Sequence, residues 1–215
     1  MVVAVIADIV GSRRLSDRAE AQQLLDSTIA QLEQSLPLAS EPLRPTVGDE
    51  QQGVFEALDD ALAWLLLLQL SLPDTVECRF GLGVGAIDTF PSAGGALHDG
   101  PGWWAAREAI EHVHAKQQRA APSARTWVVA SPGEDAGVHI AVRHANAYLL
   151  ARDQIVGSMN ERTRRLTLGR CLGVTQRDLA QAEGITQPAV SQSLATAGAS
   201  AIVEGYALLR AGEPS

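Results

Sequence analysis

Two groups of residues in this 215-residue chain have types and spacing that could do chemistry. The first is a pair of aspartates beside glycines. Asp8 ends a β-branched run in Ala7-Asp8-Ile9-Val10-Gly11-Ser12, and Asp49 lies in Gly48-Asp49-Glu50. If the strands that carry them are neighbours, Asp8, Ile9 and Asp49 would form a divalent-metal set, because Mg²⁺ or Mn²⁺ takes hard oxygen ligands and shares its shell with nucleotide phosphates. The backbone N–H groups after Asp8, at Val10, Gly11 and Ser12, together with Gly48, would cradle a phosphate. Taken singly, an aspartate next to a glycine is more often only a turn residue.

The second group is Gln176-Arg-Asp-Leu-Ala-Gln-Ala-Glu-Gly-Ile-Thr-Gln-Pro-Ala-Val-Ser-Gln-Ser-Leu. Read as a helix-turn-helix, Leu179 and Ala180 line the inner face of the first helix and Gly184 takes the left-handed turn position. Ile185, Val190 and Leu194 bury the second helix. Thr186 caps that helix and Pro188 falls in its first turn, where a missing N–H costs nothing. Gln187, Ser191 and Gln192 are left on its outer side, where polar side chains reach base edges in a major groove. Arg177, with Arg162, Arg164, Arg165 and Arg170, would meet phosphates, although a charge run is more often a solvated face. Any small helical bundle needs an alanine contact, a glycine turn and apolar spacing, so the combination carries the reading rather than one residue.

The elements that position these groups follow from periodicity. Val2 to Ala7 predicts a buried strand, and Ser16 and Asp17 both offer a cap for a helix over about 18–35 that Pro37 ends. Residues 43–55 predict two short strands around Gly48-Asp49. Asp59-Asp60 predict the cap of an apolar helix over 61–70, and residues 77–87 predict a strand whose alternating glycines admit a close backbone neighbour. Residues 94–102 read as a loop, 103–118 as a helix, 126–130 as a strand and 138–165 as one long helical stretch.

Composition narrows the function classes. The net charge is −8, but residues 1–151 carry 10 basic and 19 acidic side chains whereas 152–215 carry seven and six, so the tail is the part that DNA tolerates. Cys78 and Cys171 have no CxxC spacing, which predicts neither a zinc site nor a disulfide and fits a reducing cytoplasm. The apolar start lacks a basic region and contains Asp8, and the longest apolar stretch, 61–72, is too short to span a bilayer. His98, His112, His114, His139 and His144 make no metal-binding spacing, and no phosphate-loop, dinucleotide or GxSxG motif occurs. Trp103-Trp104, two of nine aromatics, reads as core or dimer interface before base stacking.

Taken in order, "VIADIVGS", "TVGDE", "RFGLGVGAI" and "WWAAREAI" resemble the catalytic domain of class III nucleotidyl cyclases over roughly residues 2–130. The resemblance implies metal aspartates at Asp8 and Asp49 and a transition-state arginine at Arg107. It also implies a ribose-aligning asparagine where this chain has Trp103 and a purine-reading lysine where it has Pro45. An indole and a proline cannot do those jobs, so cyclisation is not expected. The cyclase-like domain followed by a helix-turn-helix looks like the SatD family of bacterial proteins, for which DNA binding is the usual expectation. The expected fold is α/β, a ferredoxin-like cyclase sheet with helices over 1–140, followed by an all-α helix-turn-helix domain over 141–215. The expected function is a cytoplasmic, homodimeric DNA-binding transcriptional regulator that acts on double-stranded DNA. Its catalytically degenerate cyclase-like domain would serve dimerisation or nucleotide and metal sensing, with no catalytic residue and Arg107 vestigial. The alternatives are a metal-dependent nucleotide-binding enzyme of the cyclase type and an interaction module in which both motifs have decayed.

Overall fold

The computed structural model describes residues 1–12, 17–46, 50–92 and 95–211. Its central strand is the β-branched run. β1 (Val3–Ile9) sends Val3, Val5, Ala7 and Ile9 into one apolar cluster and Ala4 and Ile6 into another, so both of its faces are covered. α1 (Arg18–Ser35) starts on Asp17, whose carboxylate accepts from the Glu20 amide at 2.8 Å, and buries Ala21, Leu25, Ile29 and Leu32 as a stripe. β2 (Ala39–Pro45), β3 (Gln51–Phe55), α2 (Leu58–Ser71) and β4 (Cys78–Val84) follow. The strands lie in the order β2-β3-β1-β4 with all neighbours antiparallel, which is the βαββαβ arrangement of ferredoxin-like sheets.

Beyond β4 the chain first departs from the sequence reading just before α3. Residues 94–102 are not simply loop: β5 (Asp88–Ser92) and β6 (Gly95–Asp99) pair antiparallel with Asp88 opposite Asp99. Short ladders held by backbone bonds leave no apolar alternation to detect. α3 (Pro101–Gln117) then lies against β4, because Gly81 and Gly83 carry no side chain. A Cβ on Gly81 would sit 2.5 Å from the Ala106 carbonyl and the Ile110 amide. β7 (Thr126–Ala130) adds to β4 in parallel as an outer strand.

Both sheet edges are closed. Pro42, Pro45 and register shifts interrupt β2. At the other edge α4 (Ala136–Gly157) supplies what a further strand would. Asp153 Oδ2 accepts from the Arg125 and Thr126 amides at 2.7 and 2.8 Å, and Asn146 pairs with both the N–H and the carbonyl of Val128 at 2.9 and 2.8 Å. Arg152 and Asp153 form an ion pair at 2.8 Å with both side chains fully buried, and Arg152 also donates to the Thr126 hydroxyl.

The long helical stretch expected over 138–165 is two helices, α4 and α5 (Glu161–Cys171). The break falls at Asn160, whose side chain accepts from the Thr163 amide at 2.9 Å and caps α5. α6 (Gln176–Ala182), α7 (Gln187–Thr196) and α8 (Ala199–Arg210) complete the chain. α2 is apolar on every side because it lies between the sheet and this bundle, with α5 and α8 both packed on it. Its N-cap is Ala57 rather than an aspartate; Asp59 and Asp60 sit in the first turn, where they favour the helix dipole. One apolar cluster runs from β1 through α2 to Leu166, Val190, Leu194 and Ile202. α4 begins at Ala136, so a division at residue 140 falls inside it. Among the described residues no helix is long and apolar enough to cross a membrane.

Candidate functional site

The register of the sheet builds the first candidate site. Asp8 follows Ala4 and Ile6 onto the face covered by α3, and it lies directly opposite Arg79 of β4. Arg79 grips it with two bonds, Nε to Oδ1 at 2.9 Å and Nη2 to Oδ2 at 2.8 Å, and a further Arg79 N–H reaches Gln117 Oε1 at 3.3 Å. Arg107 projects from α3 to Glu50, donating from Nη1 to Oε2 and from Nη2 to Oε1 at 2.8 Å. The Glu50 hydrogen bond holds the Arg107 guanidinium above its ordinary value against the effect of burial, and the Glu111 and Asp8 charges add to it. Two carboxylates and two guanidiniums thus neutralise one another at the end of the sheet. Arg107 keeps its Nε–H and one proton on each terminal nitrogen outside the Glu50 pair.

The described residues supply only part of the expected metal set. Each Asp8 oxygen accepts one Arg79 N–H, Ile9 points into the core with only its carbonyl to offer, and Asp49 and Gly48 lie outside the described residues. Among the described residues no three His, Cys, Asp or Glu side chains come together to hold a metal. The phosphate cradle is also altered from expectation. The Val10 amide continues the ladder and donates to the Glu77 carbonyl at 2.8 Å, so it is not free for a phosphate, whereas Gly11 turns with φ 67° and Ser12 is buried. Position 103, where the cyclase resemblance implies an asparagine, holds a core indole: Trp103 is buried with its ring 5.8 Å from that of His98. Trp104 is 64% exposed and its N–H donates to Asp99 at 2.8 Å, so the tryptophan pair divides between core and surface. Arg79 and Glu50, the partners of the two expected site residues, escape a sequence reading. Arg79 heads the glycine-rich strand, yet only the β1–β4 register reveals that it meets Asp8.

At the second candidate site the caps and the glycine turn fall at the residues that the sequence suggests, and Ile185 is only half-buried. Thr175 caps α6, accepting from the Asp178 amide at 3.2 Å, and Gly184 turns the chain with φ 65° while the Ile185 amide returns to the Ala180 carbonyl at 3.0 Å. Thr186 caps α7 by accepting from the Ala189 amide, and Pro188 lies in the first turn. Val190 and Leu194 are buried against α5, α6 and α8. Gln187, Pro188, Ser191 and Gln192 are exposed, and Gln192 Nε2 rests on Thr196 Oγ1 at 3.0 Å. α5 approaches α6 closely at Gly169, where a Cβ would be 2.5 Å from Leu179.

The arginines around this motif do not act alike. Arg164 turns inward, donating to the Met159 and Leu72 carbonyls and to Asp74 at 2.7 Å, so it ties α5 to the end of α2 and does not face outward as expected. Arg165 grips Glu183 at 2.7 and 2.8 Å, and this bond holds the Glu183 carboxyl below its ordinary value; Arg162 stands 3.8 Å from the same carboxylate. Arg170 donates to the Val174 carbonyl. Arg177 is exposed and makes no ion pair among the described residues.

Solved structures similar to part of the chain include nucleotide cyclases. Adenylate cyclases from Trypanosoma brucei in their monomeric state are 17% identical, with 52% of this chain and 68% of that chain covered at a TM-score of 0.43. The monomeric guanylyl cyclase domain of the RhoGC fusion protein from the aquatic fungus Blastocladiella emersonii is 18% identical over 51% of this chain and 74% of its own, with a TM-score of 0.40. A bacterial light-regulated adenylyl cyclase is 15% identical over 56% and 71%, also at 0.40. No curated protein matches the chain. The SatD family matches residues 2–201, nearly the whole of a ferredoxin-like sheet joined to a helical bundle, and the chain belongs to that family.

Proposed function

We propose that this protein binds double-stranded DNA in a sequence-dependent way through α7, as a homodimeric transcriptional regulator, with its sheet domain serving dimerisation or nucleotide sensing rather than catalysis. The observation that carries this reading is the division of α7 into a buried face, Val190 and Leu194, and an exposed polar face, Gln187, Ser191 and Gln192. Glutamine presents a donor and an acceptor together, which matches the N6 and N7 edge of adenine in the major groove. Arg177, exposed at the start of α6, would meet a phosphate beside the groove, and Arg162 and Arg170 would add contacts. Two such modules in a dimer would meet half-sites about one helical turn apart, which offsets the weak attraction of a module whose charge is near neutral.

Support for a non-catalytic sheet domain comes from its occupied groups. Asp8 is engaged by Arg79 and Arg107 by Glu50, and Trp103 is core. A nucleotide effector would share Arg107 with Glu50. The test is a genome-wide binding profile of the full chain beside a Gln187→Ala/Gln192→Ala variant. Discrete enriched sites that the variant loses support the reading. A profile without enrichment, or one that the variant reproduces, sinks it.

A further inference from the structure

The cavity between α1 and the β2–β3 pair is lined by two carboxylates, Asp26 and Glu33, against one guanidinium, Arg44, with the amides of Gln34 and Gln51 beside them. Asp26, Ile29 and Glu33, three and four residues apart on one face of α1, look across at Leu43 and Arg44 of β2 and Gln51 of β3, enclosing about 400 Å³. Gln51 is completely buried, and its Nε2 donates to Asp26 Oδ1 at 2.9 Å, which fixes the amide and leaves Oε1 without a donor. Glu33 Oε1 is a second buried acceptor without a donor. Burial pushes the Glu33 carboxyl above its ordinary value, with Arg44 pulling the other way. The volume lies within the range of small-molecule sites and is more than ten times the roughly 30 Å³ that a water takes up in the liquid.

Buried acceptors are normally matched, and neither Arg44 nor Gln34 of the same lining donates to these two, so they leave a place beside Asp26 for a donor from outside the chain. We propose that this cavity binds a small organic cation bearing N–H donors, an amidinium, guanidinium or primary ammonium, between Gln51 Oε1, Glu33 and Asp26. The site lies across the sheet from α3 and does not rest on the DNA-binding reading. Gln51 directly follows Glu50, the partner of Arg107, so an occupant would bear on the residue next to that pair.

The experiment is an amide NMR titration of the full chain with benzamidine and with butylammonium, using benzamide as a neutral control of the same shape as benzamidine. Saturable shifts centred on α1 and on Gln51 are expected, with no saturation by benzamide. Glu33→Gln should weaken binding by at least about tenfold, the factor carried by one charge-assisted hydrogen bond. Gln51→Leu should abolish it, and if that variant does not fold, Glu33→Gln carries the test. Saturation by neither cation, equal binding of benzamide, shifts centred elsewhere, or unchanged affinity in Glu33→Gln would each overturn the proposal.

Discussion

Asp8 and Arg79 face each other across the β1–β4 ladder and share two hydrogen bonds, at 2.9 and 2.8 Å, in a pair whose side chains are only 28% and 11% exposed. A carboxylate and a guanidinium joined in this way are coupled in stability, because either one left alone keeps its burial and loses its partner. Asp8→Ala and Arg79→Ala should each destabilise the fold, and the double variant should cost less than their sum by about 1–2 kcal/mol. Urea unfolding of the four proteins measures this. Strict additivity would mean that the pair does not hold in solution.

Gly81 is the clearest case of a residue required by its neighbour. Gly81→Ala forces a methyl to within 2.5 Å of the Ala106 carbonyl and the Ile110 amide, and neither can yield without moving α3 off the sheet. The expected loss is about 1–3 kcal/mol or more. Unfolding at unchanged denaturant concentration would show that α3 is not seated as described.

Much of this was legible in the sequence, and the reasons are local. β1 was readable from its β-branched run, α1 from Asp17 and its apolar stripe, and α7 from Thr186, Pro188 and the spacing of Val190 and Leu194, because propensity, capping and burial agree there. The glycines of "RFGLGVG" announced a close backbone neighbour, which is α3. What was hidden depends on pairing over long sequence distances. Arg79 meets Asp8 through the β1–β4 register, and Glu50 meets Arg107 through the seating of α3 on the sheet, and no single segment encodes either. Arg164 belongs to the joint with α2 because Asp74 lies there, although in sequence it is one arginine in a run. The break at Asn160 is hidden because helix-forming residues lie on both sides of it, Met159 before and Glu161 and Arg162 after. Asp49 and Gly48, half of the expected metal and phosphate set, lie outside the described residues.

Asp153 does three jobs at once: it pairs with buried Arg152 and accepts from the Arg125 and Thr126 amides at the sheet edge. Asp153→Ala should therefore cost about 3–5 kcal/mol, since it leaves a buried guanidinium and two backbone donors unmatched. A loss below 1 kcal/mol in calorimetry or urea unfolding, about the cost of an ordinary surface change, would contradict the edge-closing role of α4.

The Glu33 carboxyl titrates above its ordinary value in the folded protein, chiefly through burial. The contribution of a group raised in this way is present below its unfolded value and is lost as pH rises through the folded one. Glu33→Gln should accordingly match the wild type in mildly acidic solution and become the more stable of the two as pH rises to neutrality. A stability difference that does not change with pH would show that Glu33 is fully solvated.

The central claim is that α7 reads sequence. The most direct measurement is fluorescence anisotropy of the full chain on an enriched duplex and on a scrambled one, over a series of salt concentrations, for the wild type, Gln187→Ala, Gln192→Ala and Arg177→Ala. Each glutamine change should cost about 1–3 kcal/mol on the enriched duplex and almost nothing on the scrambled one. Arg177→Ala should weaken binding to both and reduce the slope of log affinity against log salt by about one. Equal affinity of the wild type for both duplexes, or glutamine variants that keep the full preference, would contradict it.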